Sequence, residues 1–285
     1  RGVAPERIIL SAAIKTDDLL RLAVSRGVTI SCDSRAESRR IAAIARALDT
    51  TACVAPRLAP DPNSLPPTRF GERLPAWRQA EWPQELRVAG VHVHLHGYSE
   101  ADRRTALAEA IALIEHVRAL GQPAGFIDIG GGVPMSYLES REQWENYLER
   151  IASQRAGTGE PFTWKADPLS NTYPFWQEPT RGQWLDQLLS GDVPGYGTAG
   201  TELRERDIAL HLEPGRSLLD GCGVILTEVS FLKERSDGLP LIGVAMNRTQ
   251  CRTAADDILL DPLLVPTAGP AKEISREPRT GFVVG

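Results

Sequence analysis

Three short stretches of the chain combine residue types that could do chemistry at spacings that could hold a ligand. The first is Ile127-Asp128-Ile129-Gly130-Gly131-Gly132, an apolar run that leads straight into three glycines. Glycine lets a backbone approach a ligand closely and turn its N–H groups toward an anion. At the C-terminal end of a barrel strand such a run is a phosphate cradle; elsewhere it is a plain tight turn. The second is Glu213-Pro214-Gly215-Arg216, directly after an apolar run that ends at Leu212. A guanidinium can grip phosphate bidentately, and a carboxylate can keep a ring nitrogen protonated so that the ring withdraws electrons. The competing reading is an internal Glu–Arg ion pair at a domain junction. The third is His92-Val93-His94-Leu95-His96. Period-two spacing puts the three histidines on one face of a strand, where zinc is one conceivable ligand. Positions i, i+2 and i+4 span about 13 Å, too far for one ion, so one histidine stacking on a flat ring is the preferred reading.

These groups need an alternating β/α chain to position them. Arg7 to Leu10 reads as a strand, and Thr16 to Arg26 as a helix with Leu19, Leu20, Leu22 and Ala23 on one face. Thr29 to Cys32 is the next strand. Ser34, with Glu37 three residues on, makes a capping box for a helix reaching about Leu48. Ala52 to Arg57 is a third strand, followed by a Pro-rich loop from Ala59 to Pro67. Gly90 to His96, Gly125 to Ile129 and Ile208 to Leu212 are further strands, and Ala101 to Leu120 is a long helix ended by Gly121 and Pro123. The βαβ order predicts a parallel sheet covered by helices. Six strands do not close an eight-stranded barrel, so either the sheet is open or two strands lie outside the chain.

Two regions break the alternation. The segment 134–206 is far longer than a βα loop plus one helix, and it is rich in aromatics: Trp144, Tyr147, Phe162, Trp164, Tyr173, Phe175, Trp176 and Trp184. It reads as a helical insertion with a small core of its own. After Pro214 the runs Ser217 to Lys233, Leu239 to Met246 and Gly281 to Val284 read as strands without helices between them. The expected division is therefore a partial barrel over 1–219, carrying the insertion at about 134–206, and the start of an all-β domain over 220–285.

Composition narrows the partners. The formal net charge is −5 over 285 residues and no block of like charges stands out, which points away from nucleic acid and anionic membrane. No apolar stretch is long enough to span a bilayer. The chain opens on Arg1 rather than Met and shows no signal-peptide pattern. Cys32, Cys53, Cys222 and Cys251 form no C-x-x-C pair, which reads as free thiols in a reducing cytoplasm.

Taken in order, Val28 to Glu37 (VTISCDSRAE), Gly90 to His96 (GVHVHLH), Ile127 to Pro134 (IDIGGGVP) and Glu213 to Gly223 (EPGRSLLDGCG) resemble the fold-type III pyridoxal-phosphate-dependent decarboxylases, on the diaminopimelate/ornithine/arginine branch. The resemblance implies a TIM-type (β/α)8 barrel of the alanine-racemase kind, with about six of the eight strands present, followed by a β-domain. It implies pyridoxal 5'-phosphate as cofactor, an amino acid as substrate, and a homodimer that completes the site. Gly130, Gly131, Gly132 and Arg216, with Gly215 between the two groups, match the family's phosphate holders. Glu213 matches the partner of the ring nitrogen, and His94 matches the histidine that stacks on the ring. Arg69-Phe70-Gly71 resembles the family's Lys-Phe-Gly.

The departures are specific. The family's Schiff-base lysine stands in an aromatic-Ala-x-Lys-Ala context, which Lys15, Lys165, Lys233 and Lys272 all lack, so it is expected upstream of Arg1 and the chain alone is expected to be inactive. The family's Cys-x-x-x-Asp is likewise expected beyond Gly285. The His-Ile-Gly-Ser of the family reads His94-Leu95-His96-Gly97, and its Arg-Pro-x-Leu-Tyr reads Asn247 to Arg252, which argues for a divergent subgroup with a different substrate. Decarboxylation at Cα is the leading expectation. Racemisation, a non-catalytic cofactor-binding homologue and a sugar-phosphate barrel enzyme are the alternatives.

Overall fold

In a computed structural model of the chain, the described residues are 2–159, 163–164, 167–168, 174–247, 250, 263–265 and 281–285. Phe162, Lys165, Tyr173, Arg248, Thr249, Cys251, Arg252 and Lys272 lie outside them. The order of elements is β1 (Ile9–Leu10), α1 (Asp17–Arg26), β2 (Thr29–Cys32), α2 (Arg35–Ala47), β3 (Ala52–Leu58), α3 (Leu74–Arg78), β4 (Leu86–Val88), β5 (Gly90–Val93), α4 (Glu100–Ala119) and β6 (Phe126–Asp128). Then follow α5 (Arg141–Ala156), β7 (Thr163–Trp164), β8 (Asp167–Pro168), α6 (Arg181–Ser190), α7 (Ala199–Glu205), β9 (Ala209–His211), α8 (Arg216–Leu219), β10 (Val229–Glu234), β11 (Pro240–Val244) and β12 (Phe282–Val284).

The helices begin where a hydroxyl can take an orphan N–H. Thr16, Ser34 and Ser99 accept from the N–H groups of Leu19, Glu37 and Asp102. At Ser34 only half of the expected capping box forms. The Glu37 carboxylate accepts instead from the Asp33 N–H at 2.9 Å and from Lys15 Nζ at 2.8 Å. Lys15 is wholly buried, so this is an interior ion pair.

The chain forms two compact units, Arg1–Pro134 with Pro179–Leu218, and Met135–Glu178 with Leu219–Gly285. In the first, the sheet runs β1-β2-β3-β5-β6-β9, every neighbour parallel. β4 lies beside the first residues of β3 and β5 beside its last, with the Ala89 N–H donating to Val54 O between them, so the two form one strand line broken at Ala89. Spatial order follows chain order without reversal. A doubly wound sheet reverses at a switch point; an arc of a (β/α)8 barrel does not.

β2 and β5 are buried along their whole length, as strands covered on both faces must be. Leu20, Val24, Ile41, Ala45, Leu107 and Ile111 form one core with Ile30, Val54, Val91 and Ile127. Trp184, Leu188, Ala199 and Leu203 join that core from α6 and α7, so residues 134–206 are shared between the units. In the second unit Trp144 stacks on Tyr147 with centroids 5.2 Å apart, and Phe175 lies against Trp144 and Tyr137. A separate sheet there pairs β10 with β11 antiparallel and β11 with β12 parallel.

Several expectations need correction. The buried stripe of α1 is Leu20, Ala23 and Val24, while Leu19 and Leu22 are exposed. Arg7 ends a short 3-10 turn over Pro5–Arg7 rather than opening the strand. The strand expected over Gly90 to His96 stops at Val93, and His94, just beyond it, lies 3.1 Å from Glu213 Oε2 instead of pairing along the sheet. The Ser217 to Lys233 run contains α8 at its start and becomes a strand only at Val229. The short α3 and β4 went unread; Trp77 in α3 is fully buried, with its Nε1–H donating to Arg57 O at 2.8 Å.

Candidate functional site

The carboxyl ends of the parallel strands bring polar residues together. Ser11 follows β1, Ser31 and Arg57 lie in β2 and β3, His92 and His94 in and after β5, Asp128 and the three glycines at the end of β6, and Glu213 after β9. In a barrel this is the end where ligands bind.

Two glycines of the cradle are required by their surroundings. Gly130 and Gly132 have φ +69° and +83°, where side-chain-bearing residues are strained. A Cβ on Gly130 would strike the His94 ring, and one on Gly132 would land on Arg103 Nη2 and Gly97 O. Gly130 donates its N–H to Asp128 Oδ1 at 2.9 Å and accepts at its carbonyl from the Glu213 N–H at 2.9 Å. That second bond ties the Gly-Gly-Gly loop to the Glu-Pro-Gly-Arg segment through backbone alone.

His94 Nδ1 lies 3.1 Å from Glu213 Oε2. The hydrogen bond from His94 is the largest of the influences that hold the Glu213 carboxyl well below the ordinary carboxylate range, at about 2; burial opposes it, and His92 and the Ser11 hydroxyl add to it. Glu213 is therefore an anion at neutral pH. Asp128 behaves in the opposite way: burial pushes its carboxyl up, against the pull of the Gly130 N–H, and the Glu213 charge pushes in the same direction as burial.

His92 is buried, and its Nδ1 lies 2.6 Å from Ser31 Oγ. Burial, helped by the nearby Arg57 charge, lowers its pKa to about 4, so the ring is neutral at pH 7. Its Nε2 is buried without a hydrogen-bond partner, 4.0 Å from Glu213 Oε1. Arg57 sits behind, 3.7 Å from Asp33 Oδ1 and 4.7 Å from the centre of the Phe70 ring. Gly71, at φ +81°, must be glycine, since a Cβ would lie 2.6 Å from Arg57 O.

Of the residues singled out in the sequence, His94, Gly130, Gly131 and Glu213 thus meet, and Gly132 continues the same loop. Gly215 and Arg216 are exposed, Arg216 as the first residue of α8. His96 is exposed, and the ligating atoms that converge are those of His92, His94 and Glu213, within 4.8 Å of one another. Ser11, Ser31 and Arg57 were missed as site residues, and His92 and Asp128, though within the stretches singled out, were given no role of their own. Their signal was available: each is a polar residue in, or directly after, an otherwise apolar strand, near its carboxyl end.

The family model for pyridoxal-dependent decarboxylases, pyridoxal binding domain, matches residues 1–162, more than half of the chain. The chain belongs to the pyridoxal-dependent decarboxylase family. A diaminopimelate decarboxylase of Aquifex aeolicus is 25% identical over 263 residues, covering 86% of this chain and 52% of that protein. An uncharacterized protein, y4yA, of Sinorhizobium fredii is 33% identical over 184 residues, 64% of this chain and 38% of the other. The crystal structure of diaminopimelate decarboxylase from Helicobacter pylori complexed with L-lysine superposes with a TM-score of 0.56 at 19% identity, covering 85% of this chain and 53% of that one. The chain therefore spans about half the length, or less, of the relatives it matches. The parallel arc is that of a TIM-type barrel of the alanine-racemase kind.

The pyridoxal-dependent site fits pyridoxal 5'-phosphate on three counts. The Gly131 and Gly132 N–H groups have no acceptor among the described residues, Glu213 is an anion able to face a ring nitrogen, and His92 Nε2 is a buried polar atom with no partner. A metal ion held by His92, His94 and Glu213 would account for those three residues but leave the glycine cradle unexplained.

Proposed function

We propose that the whole protein, to which this chain contributes the cofactor cradle, removes the α-carboxylate of an amino acid with the help of pyridoxal 5'-phosphate, in the manner of diaminopimelate decarboxylases. The observation that carries the reading is Glu213: it is held ionised beside His94, and its N–H is bonded to Gly130, so the ring-facing and phosphate-facing groups share one rigid junction. Gly130, Gly131, Gly132, Gly215 and Arg216 hold the phosphate. His94 would stand against the ring, and Glu213 would keep the ring nitrogen protonated. The protonated ring supplies an electron sink for the pair left at Cα when carbon dioxide departs. Glu213 is suited to its part because an anion of low pKa does not take the ring's proton.

The same reading extends to the whole protein. A barrel over 1–219, with the insertion narrowed to Met135–Glu178, carries the cofactor, and a β-domain begins near 220, a reading that the separate β10-β11-β12 sheet supports. The working unit is a homodimer and the substrate an amino acid. Cys32 and Cys53, among the described residues, are free thiols, which suits the reducing cytoplasm. Among the described residues no helix is long and apolar enough to cross a membrane.

Carbon dioxide release from carboxyl-labelled amino acids is the test. One carbon dioxide per amine formed is expected. Exchange of the α-hydrogen with the carboxylate retained would establish racemisation instead, and a reconstituted protein without a pyridoxal absorption band would point to a sugar-phosphate enzyme.

Arg216→Ala is expected to weaken cofactor retention about tenfold to a hundredfold, the loss typical of hydrogen bonds to a charged group. Absorbance during dialysis reads this directly; undiminished retention would remove Arg216 from the phosphate site.

A further inference from the structure

The glycine loop of the cradle is held from behind by a side chain outside the residues assigned so far. Arg103 lies in the first turn of α4, is fully buried, and has no carboxylate among its hydrogen-bond partners. Its Nη2 donates to Gly131 O at 2.5 Å and to Gly97 O at 2.9 Å, and its Nη1 donates to Ser99 O at 2.9 Å. The Trp184 ring covers the guanidinium, 5.4 Å from its carbon, and Trp184 is itself fixed by its Nε1–H to Tyr98 O at 2.7 Å. One planar fork therefore joins the loop after β6 to the loop after β5.

What that fork does follows from peptide geometry. In a trans peptide the C=O and the N–H point in opposite directions. The Gly130 carbonyl is taken by the Glu213 N–H, so the Gly131 N–H points the other way. The Gly131 carbonyl is taken by Arg103, so the Gly132 N–H points away from Arg103. Among the described residues neither the Gly131 nor the Gly132 N–H has an acceptor. Successive N–H groups left unused, with Gly130 and Gly132 at positive φ, make an anion-binding concavity. Glycine alone would not keep that shape, since it moves between many backbone conformations.

We propose that Arg103 is a positioning residue that braces the Gly130–Gly132 loop so that its N–H groups face the cofactor phosphate. The proposal rests on the cofactor reading above and adds to it a group that does not touch the cofactor. It also bears on Gly97, which stands where the family's His-Ile-Gly-Ser has its serine: here that position contributes a carbonyl to the brace.

The test compares pyridoxal 5'-phosphate with pyridoxal, which lacks the phosphate, by equilibrium titration of the protein carrying Arg103→Gln, and of Arg103→Lys, which keeps charge and stem but not the fork. Arg103→Lys also serves if Arg103→Gln does not fold. Affinity for the phosphorylated form should fall about tenfold or more, as for outer partners that orient metal ligands, while affinity for pyridoxal changes by less than about twofold. Equal loss for both ligands would mean a general structural role and would overturn the proposal, as would unchanged phosphate affinity in a folded variant. A wild-type protein that does not distinguish the two ligands would instead overturn the cradle reading, and this proposal with it.

Discussion

Glu213→Ala is expected to slow decarboxylation by about a hundredfold to a thousandfold while the cofactor stays bound. The range is that of removing one fixed electrostatic partner from charge that develops in a transition state, about 3–4 kcal/mol. On the proposed reading the phosphate would be held by backbone N–H groups and Arg216, and the Glu213 N–H that ties the loop to Gly130 survives the substitution. What disappears is the anion beside His94. Without it nothing holds a proton on the ring nitrogen, and the electron sink weakens. Glu213→Gln should behave similarly, since a neutral amide cannot favour the protonated ring, which separates charge from volume. Turnover number and cofactor absorbance, measured on the same samples, check both halves; unchanged turnover would remove Glu213 from its role.

Lys15→Met should destabilise the fold by about 3–5 kcal/mol, the usual cost of leaving one member of a buried ion pair behind. Lys15 Nζ lies 2.8 Å from Glu37 Oε2 and its side chain is wholly inaccessible. In the variant the Glu37 carboxylate keeps the Asp33 N–H as a partner but loses its buried cation. Adding Glu37→Gln should recover much of the loss, because a neutral pair has less desolvation to offset. Urea unfolding of the single and double variants gives the numbers. A loss below about 1 kcal/mol for the single variant would show that water reaches the pair, since exposed pairs are worth no more than that.

Much of the sheet was legible because parallel strands, buried on both faces, read as apolar runs, and because a cap such as Ser34 marks where a helix begins. The glycine loop and the Glu-Pro-Gly-Arg turn were legible because each packs its chemistry into consecutive residues. What escaped was set by tertiary contact. Ser31 meets His92 across 61 residues, and neither residue alone carries a signal for the pair. His92 and His94 share a parity that suggests one strand face, yet one is buried in the strand and the other lies beyond its end. Arg103, spaced like any polar residue in the first turn of a helix, gives no hint that its head is buried against three carbonyls. The burial of Leu20 and Val24 rather than Leu19 and Leu22 depends on the angle at which α1 meets the sheet, which periodicity leaves open.

The two halves of the cradle come from β6 and β9, whose paired residues Phe126 and Ala209 are 83 positions apart, because Met135–Glu178 lies in a separate unit between them. The free energy of closing a flexible loop grows only with the logarithm of its length, about 0.6 kcal/mol per doubling. Lengthening the interval by such a unit roughly doubles it, so the added closure entropy is smaller than the worth of one ordinary hydrogen bond. In chain-statistical terms the barrel hosts this passenger almost without penalty, and the size and sequence of the interval are free to diverge while the phosphate-facing ends stay in register.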